Sequence, residues 1–121
     1  MKAMVVYGCP CAGKSTYVIN HAGDNDVIYD YDAILLASTT RKKHLVDRHA
    51  AHFVILNLRK SIVDNAKTER AIDRIWLLCR WPTDTIKEIL DGVDSEEIFI
   101  EATKEECYAR LEADDTRPDK D

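Results

Sequence analysis

The segment "AMVVYGCPCAGKST", residues 3–16, decides how the rest of the chain is read. Its first five residues, Ala3 to Tyr7, are apolar without alternation, the pattern of a strand buried on both faces, and such strands belong to parallel sheets. Gly8 ends the run. From there Gly8, Gly13, Lys14 and Ser15 fit the pattern G-x-x-x-x-G-K-[ST], a phosphate-binding loop placed where its mechanism needs it, after a buried strand and before a helix. The glycines let the main chain turn its N–H groups inward, and the helix that follows adds the positive end of its dipole. In that nest Cys9, Cys11 and Ala12 supply backbone N–H donors, and Pro10, which has none, is expected to line the loop with them. Lys14 is expected at the β- and γ-phosphates of a nucleoside triphosphate, Ser15 at Mg²⁺, and Thr16 at a further phosphate oxygen.

Two cysteines inside the loop raise a zinc or redox alternative. A zinc site needs four ligands at recognised spacing, and Cys9 and Cys11 have no second cysteine pair or histidine doublet to complete one. Oxidation of thiols at a helix N-terminus stays open as a minor possibility. The apolar start is broken by Gly8 and Pro10 before it reaches export-signal length, and no stretch approaches the 18 apolar residues of a membrane span. The expected location is therefore the cytoplasm, with no membrane contact and with Cys9, Cys11, Cys79 and Cys107 all as free thiols.

With 121 residues, 45% of them apolar and 32% charged, the chain is expected to form one globular domain over residues 1–113 and to end in a charged, flexible tail, 114–121. The net charge of −5 hides an asymmetry. Residues 41–60 hold Arg41, Lys42, Lys43, Arg48, Arg59 and Lys60 against Asp47 alone, whereas residues 91–121 hold twelve acids against four bases. The basic segment reads either as an anion-facing surface or as a solvated helix face.

Further along, Lys14–His21 is expected as a short helix stopped at Gly23, Asp24 and Asn25, and "DVIYDYD" carries a second strand at 27–31 before the apolar "AILLA". Residues 43–68 lack Gly and Pro and repeat apolar residues near helical spacing, which predicts one long helix. "RIWLLC", 74–79, is the third strand. "TDTIKEIL" is a helix with Thr83 as N-cap and Gly92 past its end, and a fourth strand is expected at 97–101. Thr103 and Glu106 form a capping box for a last helix to about Leu111. Strands alternating with helices predict an α/β fold with a parallel sheet covered on both faces.

Asp30 and Asp32 follow the second strand, at the end of a parallel sheet where ligand groups gather. In a kinase one such carboxylate accepts the proton of the attacking hydroxyl and another holds metal-bound water; the plainer alternative is a helix N-cap. Trp76 is expected in the core and Trp81 to pack at the strand end, the nearer of the two to a stacked base. His44, His49 and His52 are expected as surface or half-buried residues rather than metal ligands.

Taken together, "GCPCAGKST", "YDYD", the long basic helix, "IWLLCRWP" and "EATKEECYAR" resemble the 5′-kinase domain of bacteriophage polynucleotide kinase and related small phage P-loop proteins, nearly colinearly from Lys2 to Arg110. The resemblance implies a P-loop NTPase fold of nucleotide-kinase type with about four parallel strands, ATP as donor, and Mg²⁺. It implies that Asp30 or Asp32 is the base and that Arg110 is a lid arginine at the donor phosphates, with Arg117 as a second lid group; Ser15 and Asp30 are the expected metal ligands, and the plainer alternative for Arg110 is a surface ion pair. Two departures weaken the expectation of activity more than that of binding. Cys79 and Arg80 stand where many P-loop proteins carry a Walker-B acid, and the chain ends before a further closing helix. Two functions stay open: a kinase acting on a hydroxyl of a nucleic-acid 5′ end or a nucleotide, seated at the basic segment 41–60, and a non-catalytic or weakly hydrolytic nucleotide-binding module of a phage or prophage assembly. A ring-forming ATPase is disfavoured for want of the Walker-B acidic pair.

Overall fold

A computed structural model describes residues 1–9, 13–37, 48–101, 105–106 and 109. Along the chain the elements run β1 (Lys2–Tyr7), α1 (Lys14–His21), β2 (Val27–Tyr29), α2 (Tyr31–Ala37), α3 (Arg48–Ala66), β3 (Arg74–Cys79), α4 (Asp84–Ile89) and β4 (Asp94–Phe99). The four strands form one sheet in the order β2-β3-β1-β4, and every pairing is parallel. The α/β class with a parallel sheet is thus what the alternation of patterns predicted.

β1 lies inside the sheet because its middle residues, Ala3 to Val6, are apolar on both faces. Its neighbour β3 has the same character, with Ile75, Trp76, Leu77 and Leu78 buried. Side chains alternate between the two faces, so each face has its own core. Met4, Val6, Trp76 and Leu78 pack with Val18 of α1. Ala3, Val5, Ile75 and Leu77 pack with Leu35 of α2, Ile55 and Val63 of α3, and Ile86 of α4. Among the described residues, α1 therefore packs on one face and α2, α3 and α4 on the other.

At the amino end of β3 a polar knot closes the first face. Asp26 Oδ2 accepts from Trp76 Nε1 (2.9 Å) and from the backbone N–H of Gly23 (2.9 Å), and pairs with Arg74 Nε at 3.0 Å. The Arg74 guanidinium also lies 5.2 Å from the Trp76 ring centroid. A buried indole N–H and a carboxylate that is only 1% exposed satisfy each other there.

Several boundaries differ from expectation for identifiable reasons. β2 stops at Tyr29 instead of 31, because Asp30 caps α2 and Tyr31 already belongs to it, so "AILLA" is helical. β4 runs Asp94–Phe99 instead of 97–101: its register on β1 pairs Lys2 with Asp94 and Tyr7 with Phe99. Acidic residues that look like a loop in sequence are paired strand here. Trp76 is buried as expected, whereas Trp81 is 67% exposed and only meets the Tyr7 ring edge-on at 5.5 Å. Trp81 therefore packs at the strand end only in part, against Tyr7, and stays largely open to solvent. The start of the long helix at 43–47, the Thr103 cap and the tail 114–121 lie outside the described residues. Among the described residues no helix is long and apolar enough to cross a membrane.

Candidate functional site

Adjacent strands β1 and β3 send their chains to opposite faces, since β1 leads to α1 on one side and β3 to α4 on the other. In an open parallel sheet that divergence creates the crevice at the carboxyl strand ends where ligands bind. The glycine-rich segment opens there.

Gly13 is the N-cap of α1, with φ 95° and ψ 22°. This left-handed conformation is strained for any residue with a Cβ, which accounts for glycine at the position. As a glycine, Gly13 offers no side chain to cap the first backbone donors of α1. Lys14, half-buried, folds back so that Nζ donates to the Gly8 carbonyl at 2.8 Å. Burial holds its pKa below the ordinary lysine value; Arg80 adds to this, while Cys79, Asp30 and Asp32 oppose it. Thr16 is exposed on the first turn of α1.

Ser15 Oγ donates to Asp30 Oδ2 at 2.9 Å, joining the end of the loop to the end of β2. The other carboxylate oxygen, Oδ1, accepts from the backbone N–H of Asp32 (3.2 Å) and Ala33 (3.4 Å) and thereby caps α2. Asp30 thus caps α2 with one oxygen and meets Ser15 with the other. Asp32, half-buried in the first turn of α2, lies close enough to Lys14 for its charge to act there. The structure therefore brings Gly8, Gly13, Lys14, Ser15, Asp30 and Asp32 to one end of the sheet. Of the remaining predicted site residues, Pro10, Cys11, Ala12, Arg110 and Arg117 lie outside the described residues.

The cysteines need one correction. Cys79 is a free, half-buried thiol, but Cys9 is engaged in a disulfide, contrary to the expectation of four free thiols. Its sulfur partner is not among the described residues. Burial pushes the Cys79 thiol up in pKa, partly offset by Lys14 and Arg59, which argues against a nucleophilic thiolate at the end of β3.

Sequence reasoning counted Arg59 only within a basic segment, yet it is half-buried on α3 and its charge acts on both Tyr29 and Cys79. A signal for it existed. Ile55, Arg59, Val63 and Ala66 follow helical spacing, so a cation occupies a row whose other members are buried.

The residues fit a divalent cation only as a shared ligand. No group of three or more metal-binding side chains exists among the described residues, and Ser15 with Asp30 offers one hydroxyl and one carboxylate. That donor set suits Mg²⁺, which keeps several waters and relies on substrate phosphates.

A scan of family models and a comparison with curated proteins both return no match. The functional reading therefore rests on the geometry of this site.

Proposed function

We propose that this chain is a P-loop nucleoside-triphosphate-binding protein of nucleotide-kinase type, which transfers the γ-phosphoryl group of ATP to a hydroxyl acceptor, a nucleic-acid 5′ end or a nucleotide. The observation that carries the reading is the Ser15–Asp30 hydrogen bond beside Lys14, at the carboxyl end of an inner parallel strand. A glycine turn that merely joined a strand to a helix gives no reason for a lysine, a hydroxyl and two carboxylates to converge. The resemblance to the phage 5′-kinase domain supports the same reading.

In this proposal the loop amides and Lys14 bind and orient the triphosphate. Ser15 and Asp30 would hold Mg²⁺, which when bound neutralises phosphate charge. Asp30 thereby replaces the Walker-B acid that Cys79 and Arg80 do not supply. Asp32 takes the proton of the acceptor hydroxyl as its oxygen forms the new bond to the γ-phosphorus and the bond to the β,γ-bridging oxygen breaks, releasing ADP. Arg110 and Arg117 are assigned to the lid by resemblance alone.

The test is incubation with γ-labelled ATP and Mg²⁺ and a panel of 5′-hydroxyl oligonucleotides and nucleotides. Label is expected in the acceptor, and Asp32→Asn is expected to lower turnover about 10²–10⁴-fold while ATP affinity holds. The residues Cys79 and Arg80 at the end of β3 favour a second reading, a nucleotide-binding module without turnover. Saturable ATP binding with no label transfer to any acceptor selects it.

A further inference from the structure

Cys9 is engaged in a disulfide, and it stands inside the phosphate loop, directly after Gly8. Cys79 is a free thiol, which leaves Cys11 and Cys107 as the positions of the sequence able to supply the second sulfur. The parallel register sets Cys79 opposite Tyr7, two residues before Cys9, so both cysteines belong to the same end of the sheet. Their environments differ. Cys79 is half-buried, and burial pushes its thiol up in pKa, whereas Cys9 is exposed to solvent and to any small thiol dissolved in it. Exposed disulfides are the readily reduced kind, in contrast to those sealed in a core.

The disulfide meets the phosphate site at a single peptide unit. Lys14 Nζ donates to the Gly8 carbonyl at 2.8 Å, and that carbonyl belongs to the peptide joining Gly8 to Cys9. In the disulfide-bonded form the ammonium expected at the triphosphate is thus spent on the loop's own backbone. A triphosphate has to draw Lys14 off this carbonyl while the loop turns its N–H groups inward around the anion. On one side of the peptide Gly8 grants the rotation freely. On the other side Cys9 is held through its sulfur, and a cross-link removes conformational freedom from the segment it joins.

We infer that Cys9 is a thiol–disulfide modification site controlling the phosphate loop: the disulfide form keeps Lys14 on the Gly8 carbonyl and binds ATP weakly, and the dithiol form releases it and binds ATP well. This rests on the phosphate-loop reading and adds regulation to it. The reagent class is a small thiol and its disulfide, such as reduced and oxidised glutathione. To close the switch, the Cys9 thiolate attacks one sulfur of the small disulfide, forming a mixed disulfide and expelling one small thiolate; the thiolate of the second cysteine then attacks the Cys9 sulfur and expels the other. Two protein thiols are oxidised, one small disulfide is reduced to two thiols, and the two protons lost by the protein end on them. Reduction by excess small thiol runs the same steps backwards.

The experiment is calorimetric titration of the full chain with a non-hydrolysable ATP analogue and Mg²⁺, once after treatment with oxidised glutathione and once after dithiothreitol, with free thiols counted in each state by the mass added by a maleimide. The reduced form is expected to bind the analogue about tenfold or more tightly, and reoxidation to restore weak binding. Cys9→Ser is expected to abolish the difference between the two states and Cys79→Ser to retain it. One of Cys11→Ser and Cys107→Ser is expected to abolish it as well, which names the second sulfur. Equal affinity in both states, tighter binding by the oxidised form, a difference that survives in Cys9→Ser or one lost in Cys79→Ser overturns the inference. So does reduction that lowers the melting temperature and the analogue affinity together, which assigns the disulfide to structure alone. Should neither form bind the analogue, the phosphate-loop reading fails, and amide hydrogen exchange over residues 8–16 still decides whether the disulfide holds the loop: faster exchange on reduction supports it and equal exchange overturns it.

Discussion

In the proposed function, Lys14 would carry both the binding of phosphate and its pH dependence. Burial holds its pKa below the ordinary value of 10.5, so the ammonium is lost at lower pH than in a free lysine. The sign follows directly: the charged form binds phosphate, so ATP affinity is expected to be full below the lowered pKa and to fall as pH rises through it, with the decline setting in before pH 10.5. Lys14→Arg should flatten that alkaline limb, and Lys14→Ala should weaken binding about 10- to 100-fold at neutral pH, as measured by calorimetry. The opposite case is Asp26. Burial pushes its pKa up, but the Trp76 and Gly23 N–H donors and Arg74 together pull it below 3.8. Its depressed value stabilises the fold above the unfolded pKa, and that stability drains away as pH falls through the folded pKa. Asp26→Asn is expected to cost about 1–3 kcal/mol at pH 7 and progressively less as pH falls below the unfolded carboxylate range, read by denaturant titration across a pH series.

At the scale of elements, the decisive piece is the start of α1. Gly13 sits at φ 95°, and a methyl group there forces either strain or a shift of the loop that presents Lys14 and Ser15. Gly13→Ala is therefore expected to destabilise by about 1–2 kcal/mol in thermal melts and to weaken ATP binding by more than that loss explains. The caps of α2 and α4 behave differently. Thr83 accepts from the Ile86 N–H at 3.3 Å and only starts a helix, whereas Asp30 starts one and also reaches Ser15. Element types and the centres of α1, β3 and α4 were legible because apolar periodicity and capping residues coincide there. The bounds of β4 were not, because a strand whose residues Asp94, Ser95, Glu96 and Glu97 are all exposed carries no apolar pattern and is defined by its hydrogen bonds to β1.

For the whole molecule, the acidic outer strand β4, with Lys2 paired to Glu96 at 3.2 Å, stands on the far side of β1 from the site. Such charge guards an exposed edge against pairing with another chain. Of the basic segment, Arg59 and Lys60 lie on α3, the helix whose Ile55 carbonyl is tied to Tyr29 of β2. Binding of 5′-hydroxyl oligonucleotides is accordingly expected to weaken with salt, with a logarithmic slope of roughly −0.7 per contacted phosphate, while mononucleotide binding shows a shallower slope; fluorescence titrations across a salt series measure both. Sequence alone determined the phosphate-loop pattern, the parallel α/β class and the candidate carboxylates, because these follow from local chemistry: glycine dihedrals, apolar runs and capping residues. Only the tertiary structure decided that Asp30 meets Ser15 across fifteen positions of chain, that Trp81 is largely open to solvent, and that the Nε of Arg59 is shielded from solvent. Those are distances and burials between elements, and they exist only after strand order and the two faces of the sheet have been settled.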